Sequence, residues 1–531
     1  VKTSVQLRPL GLLLVDSLAR IDSYEKTLSA NRVQNTVHVN TVGSKLTVAY
    51  ENLRNATEYS EGNLLRQRAI RRYFVRTLSF YEKSDTKTLA DELLVELTQA
   101  EYIANDTYTQ TDVKALQAYI KRYYRAYWQY KKIETDAAKK RAFQGWLLDT
   151  LSVRCEHIFQ HNARQVLFTQ FAFTHLTPQI DIANLVPLRE QITPADFPII
   201  LYIAIQKTLL KLDQPTIRAN LLESYRADIS SLHAFESFNA RLDTLFETKT
   251  LALVTRLINK NGATLRVLYS SFYASSGHLS ARDLTSSDIA AYAISQQVER
   301  EYSAINKLLD NGIVKSIIFL LITKSIIGLA IEIPYDLAVE GHIAWLPLVL
   351  NLFFPAIFIA ASRMTLSTPG AKNTEAIATQ ASAMLFEGLG DPQPIKPIKR
   401  QSSKGFNFAY GGMFLLAFAG LSYILYLLQF NIVQGVIFFI FLSTASFLAF
   451  RLSTQVREIE GVSLSQGSLA LLRDVIYMPF IYVGQQISYR YAKVNILATF
   501  LDFIIELPLK TVLRLLRQWT QFLSSKKDDL I

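Results

Sequence analysis

The sequence predicts an all-α integral membrane protein with four transmembrane helices, a large cytoplasmic helical domain before them and interfacial C-terminal helices after them. Three observations carry this. Between Ile313 and Phe450 lie four apolar runs, each reaching the roughly 20 residues a helix needs to cross a bilayer. Residues 1–310 repeat apolar side chains at helical spacing. Strand-like alternation is confined to VQNTVHVNTV, Val33 to Val42.

Taken in order, Leu10 to Leu28 opens with helical spacing, and Ser44 to Tyr59 and Asn63 to Tyr81 read as paired helices across Gly62. Thr86 to Ile103 is amphipathic, with Leu89, Leu93 and Leu97 on one stripe. Lys114 to Ile133 follows, then a long stretch from Ala138 to about Phe173. Prolines 178, 187, 194 and 198 deny a continuous helix there. The expected organisation is therefore a helical subdomain over 1–177, a Pro-rich linker over 178–198 and a second helical subdomain over 199–310. Helical patterning resumes at Ile199 to Leu212, Ile217 to Tyr225 and Phe235 to Asn259. The sequence TSSD at Thr285 fits a helix cap. The helix it starts runs towards the membrane, continuous with the first apolar run or broken at Asn311-Gly312.

The membrane region spans 313–450, with helices expected over 313–331, 343–361, 406–430 and 432–450. Between the first two runs lies EIPYDLAVEGH, with three acids and no Lys or Arg. The connection between the second and third holds Arg363, Lys372, Lys396, Lys399, Arg400 and Lys404, and the fourth run ends at Arg451. Positive residues are retained on the cytoplasmic side. Both termini and the long connection are therefore expected in the cytoplasm. The third and fourth runs form a tight hairpin, and GGM at Gly411 to Met413 suits close helix packing.

Polar residues inside the runs are the candidates for function. Lys324 falls mid-run, where an ammonium costs a few kcal/mol. Asn351 sits between Pro347 and Pro355, which break or kink a helix. Together with Glu332 these residues either line a polar path or close a helix contact. Glu332 lies eight residues from Lys324, about 12 Å along a straight helix. The partner of Lys324 is therefore expected from another segment: Asp502, Glu506 or the carbonyls freed by Pro347 and Pro355 near Asn351. Lys324→Met is expected to be tolerated if that pairing is only structural, and to fold without function if Lys324 lines a path. In the tail, 451–531, the apolar stretches Leu469 to Ser488 and Val494 to Leu515 carry embedded acids and prolines and read as interfacial helices. AIEIP at Ala330 has an echo in IIELP at Ile504.

Charge and composition bound the partners. The net charge of +11 implies attraction to anionic lipid headgroups on the cytoplasmic face, with Arg68, Arg72, Arg76, Lys399 and Arg400 as candidate lipid or partner contacts. KRYYRAYWQYKK, Lys121 to Lys132, interleaves cations and aromatics as base-stacking surfaces do, but reads first as a helix core with a charged rim. No recognition-helix motif accompanies it, so nucleic acid is not an expected partner. A single cysteine, Cys155, excludes an intramolecular disulfide framework. His157 and His161 share a helix face but read as packing residues rather than metal ligands. No Walker loop, GxGxxG, GxSxG or kinase signature is present. No catalytic residue, cofactor or metal is therefore expected.

The segments NLFFPAIF and STPGAKNTE, with the tail LRDVIYMPFIYVGQQIS and VNILATFLDFIIELPLK, resemble a family of multi-spanning membrane proteins of small-genome, candidate-phylum bacteria. The resemblance covers about 313–525. It implies a bacterial inner-membrane setting and no activity, since none is established for that family. The function expected from the whole is a non-enzymatic, membrane-anchored interaction or scaffold protein with a cytosolic protein partner or self-association. The alternative is an oligomeric transporter or channel.

Overall fold

A computed structural model describes residues 6–31, 36–40, 62–80, 86–160, 162–187, 190–273, 283–364, 368–389, 404–461 and 477–488, together with a few single positions between them. Among these residues the chain is all helix, with no strand. The alternating stretch at 33–42 contributes one isolated bridge, Thr36 to Thr109.

Among the described residues the chain divides into two compact units, one within residues 12–258, the other of 6–11 and 259–488. The helices are α1 Pro9–Asn31, α2 Gly62–Phe80, α3 Thr86–Gln99, α4 Gln110–Ile133, α5 Ala137–Phe159, α6 Ala163–Leu176, α7 Phe197–Thr208, α8 Gln214–Ser224, α9 Leu232–Phe246 and α10 Lys249–Asn261. They continue with α11 Ala263–Tyr273, α12 Ser287–Ile327, α13 Ile333–Val339, α14 Trp345–Met364, α15 Ala371–Leu385, α16 Lys404–Leu427 and α17 Ile432–Arg457. The helix over 477–488 is α18.

In the first unit the helical stripes meet in one apolar core that includes Ile70, Phe74, Leu93, Ile120, Phe143 and Phe235. The stretch 138–173 is two helices rather than one, because the chain leaves α5 at Gln160 in extended conformation before α6 begins. The start of α4 is fixed by a reciprocal cap. The Thr109 side chain takes the Asp112 N–H, and Asp112 takes the Thr109 N–H, satisfying two donors that the first helical turn leaves open. The aromatic-basic stretch 121–132 is core and rim. Tyr123, Tyr124 and Tyr130 are buried, and Tyr130 stacks on Phe143 with ring centroids 3.8 Å apart. Lys131 lies over the Trp128 ring at the rim. Prolines 178 to 198 run inside this unit, where Pro194 opens a 3-10 turn capped by Thr193 and Asp196.

Among the described residues of the second unit, four helical stretches are long and apolar enough to cross a membrane: Ser287–Val339, Trp345–Met364, Tyr410–Leu427 and Ile432–Arg457. Their surfaces match that solvent. In the third, only 6% of the most apolar window is buried, and Leu415, Leu416 and Tyr426 point outward. So broad an apolar surface is what lipid accepts and water does not.

The first crossing element does not break at Asn311-Gly312. It continues through both residues, and Gly312 instead seats Leu452 of α17, whose Cδ2 would lie 2.9 Å from an added Cβ. Pro355 does not end α14, which continues to Met364. Gly411 and Gly412 are not a packing seam, since a Cβ at either would meet no described atom within 4 Å.

The connection between the first two apolar runs is also shorter than its polarity suggests. Residues 328–332 form a π-turn and 333–339 the helix α13, leaving only 340–344 as a loop. The π-turn has a local cause. Pro334 offers no N–H to the Ala330 carbonyl, and its ring crowds that carbonyl in a regular helix. Widening the turn relieves both. The Ile333 N–H bonds back to Gly328 instead, the five-residue spacing of a π-bulge.

The long connection after α14 begins with a helix. There α15 buries Ile377, Ala381 and Leu385. Asn373 donates to the Tyr302 hydroxyl at 2.8 Å and to the Ile459 carbonyl at 2.9 Å. It also accepts the Gly461 N–H at 2.8 Å. One amide thus joins α12, α15 and the end of α17.

Candidate functional site

Five polar side chains come together among the crossing helices, each almost completely buried: Lys324, Glu332, Asp336, Asn351 and Gln434. They arrive from five successive elements of the chain. Lys324 stands near the end of α12, Glu332 closes the π-turn, Asp336 lies on α13, Asn351 on α14 and Gln434 on the first turn of α17.

The first half of the cluster is built on Glu332. Its Oε1 accepts from Lys324 Nζ at 2.9 Å and from Asn351 Nδ2 at 3.0 Å. The ammonium also sits 4.6 Å from the centre of the Phe441 ring, whose face favours a cation. This corrects one expectation. The partner of Lys324 is Glu332 itself, because the π-turn shortens the rise and turns Glu332 towards the face that carries Lys324. Lys324→Met is accordingly expected to destabilise the chain, since it would strand a carboxylate that is 1% exposed. Asp502 and Glu506 lie outside the described residues, as does the second half of the AIEIP echo.

The second half is built on Asp336, which reads from sequence as a loop residue and is 0% exposed. Gln434 Nε2 donates to both its oxygens, at 3.1 and 2.9 Å. Asn431 Nδ2 adds a bond at 2.8 Å and the Ala344 N–H another at 3.3 Å. Asn431 and Gln434 also cap α17 reciprocally, so the same two amides start a helix and hold a carboxylate. Asn431 further reaches Glu340 at 3.1 Å. The two short connections, 340–344 and 428–431, are thereby tied at one end of the crossing helices. Asn351 Nδ2 joins the halves through the Gln434 carbonyl at 3.3 Å.

Two acceptors in the cluster have no hydrogen-bond partner among the described residues, Glu332 Oε2 and Asn351 Oδ1. The cluster also carries two buried carboxylates against one ammonium. Such groups are costly in hydrocarbon and are held in place by one another.

Lys324, Glu332 and Asn351, the three intramembrane candidates from sequence, are therefore one contact group. Asp336, Gln434 and Asn431 were missed. The readable signal was Asn431-x-x-Gln434 before an apolar run, the spacing of a capping box with an amide at each end.

The other candidates lie elsewhere. In the unit of residues 12–258, Arg72 pairs with Glu51 at 2.7 Å and Arg76 with Glu96 at 2.6 Å. Both guanidinium groups are thus turned to carboxylates of their own unit, and Arg68 is half-buried beside them on α2. Lys399 and Arg400 lie outside the described residues. Cys155 is fully buried, and burial pushes its thiol up from the ordinary range, which suits a packing residue rather than a nucleophile. His157 bonds Asn162, while His161 lies outside the described residues. Among the described residues no three His, Cys, Asp or Glu side chains gather as metal ligands.

Comparison with family models, with characterised proteins and with solved structures finds no match to this chain.

Proposed function

We propose that the chain is a membrane-anchored interaction or scaffold protein of the bacterial inner membrane, with no enzymatic activity of its own. The helical unit of residues 12–258 lies in the cytoplasm and meets a protein partner or a second copy. The observation that supports this reading is the closure of the intramembrane polar cluster. Lys324, Glu332, Asp336, Asn351 and Gln434 are each 2% exposed or less and bond mainly to one another. Such a cluster fastens helices rather than offering a wet surface to a solute. The orientation follows from Arg363, Arg451 and Arg457 at one end of the crossing helices and from the uncharged or acidic connections at the other. Reporter fusions after Gly388 and at the C-terminus should then read as cytoplasmic, and one at His342 as external.

A second reading is favoured by the two unpartnered acceptors, Glu332 Oε2 and Asn351 Oδ1. In it the cluster is the ion or proton station of an oligomeric transporter or channel. Flux measurements on proteoliposomes holding the full chain separate the two. The scaffold reading expects ion and proton leak equal to that of empty liposomes. Flux that is present in the native chain and lost in Glu332→Gln overturns it.

A further inference from the structure

Arg72 and Arg76 are turned to carboxylates of their own unit, but that unit carries other cations that are not. They gather at the turn between α4 and α5. From Lys131 to Arg141 the chain places five cations, Lys131, Lys132, Lys139, Lys140 and Arg141, against two acids. Both acids serve the backbone of the turn. Glu134 takes the Thr135 and Asp136 N–H groups at 2.8 and 2.9 Å, and Asp136 takes the Ala138 N–H at 2.7 Å as the N-cap of α5. Among the described residues the side chains of Lys132, Lys140 and Arg141 have no polar partner. Lys131 lies over the Trp128 ring, and Lys139 reaches Glu134 only at 3.7 Å with its side chain 59% exposed.

Two features set this charge apart from what the fold needs. Lys131 and Lys132 end α4, where the helix dipole favours a cation, but Lys139 and Lys140 stand in the first turn of α5, where it opposes one. At the tip Ile133 is 75% exposed, more than any other large apolar side chain described in residues 12–258. The charge continues along α4 through Lys121 and Arg125, both exposed and four apart on its outward face.

We infer that the α4–α5 turn docks on the anionic cytoplasmic leaflet, with Ile133 in the headgroup boundary and the cations around it on lipid phosphates. The inference rests on the reading that residues 12–258 stand in the cytoplasm. An exposed apolar side chain ringed by Lys and Arg matches such a surface at both of its layers. The chain is anchored in the bilayer, so the leaflet is present at high effective concentration. Nucleic acid fits less well, because the aromatic side chains that could stack on bases, Tyr123, Tyr124 and Tyr130, are buried. A protein partner fits less well too, since Lys is depleted at protein interfaces and four of the five cations here are Lys.

The test labels the full chain at the tip. Cys155 is buried, so Thr135→Cys takes an environment-sensitive fluorophore alone. In vesicles of equal parts phosphatidylglycerol and phosphatidylcholine, its emission should shift to the blue and be quenched by nitroxide-bearing lipid. In phosphatidylcholine alone both effects should vanish. Changing Lys132, Lys139, Lys140 and Arg141 together to Gln should lower the ratio of docked to free tip at least tenfold, and Ile133→Ser should lower it by less. Equal quenching in the two lipids overturns the proposal, as does quenching that the fourfold variant retains. A label indifferent to both lipids but shifted by added RNA assigns the turn to nucleic acid and overturns it too. Should the fourfold variant melt well below the native chain, salt at about 1 M, which cuts the reach of charge to about 3 Å, replaces it, and quenching unchanged by that salt is the overturning result. Both leaflets carry the same lipid, so quenching reads docking whichever side the unit faces, and a failure of the cytoplasmic reading shows only in the reporter fusions.

Discussion

Arg66 and Lys324 are both cations held on a buried glutamate, one in the helical unit of residues 12–258 and the other among the apolar helices. Around Arg66 the cation supplies the donors. Its guanidinium reaches both oxygens of Glu156 at 2.9 Å, Gln160 at 2.7 Å and the Tyr102 carbonyl at 3.3 Å. Around Lys324 the ammonium makes one bond to Glu332, and amides do the rest: Asn351 on Glu332, and Gln434 with Asn431 on Asp336. The difference follows from the surroundings. Arg66 and Glu156 each keep an exposed edge, at 15% and 11%, so a matched charge pair suffices. In hydrocarbon each further full charge adds its own desolvation cost. Neutral amides solvate a carboxylate at lower cost.

The comparison is broken most severely by removing the one intramembrane cation. Lys324→Met leaves Glu332 buried with a single amide donor and should cost about 3–5 kcal/mol, read as a lowered melting temperature in detergent. Glu332→Met placed on top of it should recover at least half of that loss. A single variant as stable as the native chain would show that Glu332 does not depend on the ammonium.

A smaller effect is expected at the amide pole. Gln434→Leu removes two of the bonds to Asp336 and the side-chain half of the reciprocal cap of α17, worth about 2–3 kcal/mol together. Gln434→Glu should do worse, since it sets a carboxylate against a carboxylate. If both substitutions were silent, amides would not be what holds Asp336.

The smallest is in the unit of residues 12–258. Burial pushes the Asp196 carboxyl up, but Arg241 and the Thr193 side chain and N–H outweigh it and hold it down at about 2. A carboxyl depressed in the folded state lends stability above its unfolded value near 4, and loses it as the pH falls towards 2. Asp196→Asn should therefore cost about 1–2 kcal/mol at pH 7 and much less near pH 2, measured by chemical denaturation. An equal cost at both values would assign the effect to packing.

Much of this was legible in the sequence, for reasons that can be named. The apolar runs showed themselves because lipid demands length and continuity, and three of the four crossing helices start within about four residues of the expected positions. The first did not, because α12 begins at Ser287, well outside the apolar phase, and nothing at Asn311-Gly312 stops it. Lys324, Glu332 and Asn351 stood out as polar residues in apolar surroundings. Asp336 did not, since EIPYDLAVEGH carries the composition of a loop, and hydropathy cannot distinguish a loop from a short helix whose acids turn inward. The pairing of Lys324 with Glu332 was hidden for a related reason. The 12 Å estimate assumed a regular helix, and the wider turn ahead of Pro334 removes that assumption.

That wider turn sets the phase of everything beyond it. A π-turn holds one residue more than the α-helical turn it replaces, so α13 is advanced by one position against α12. Deleting Leu329, an outward-facing residue of the turn, would leave a continuous α-helix with the same hydropathy and nearly the same length. It would also rotate Asp336 by about 100°, away from Gln434 and towards the acyl chains. Sequence drift at the outward-facing Leu329, Ala330 and Ile331 is therefore free among apolar residues, whereas the turn as a whole is closed to insertion and deletion.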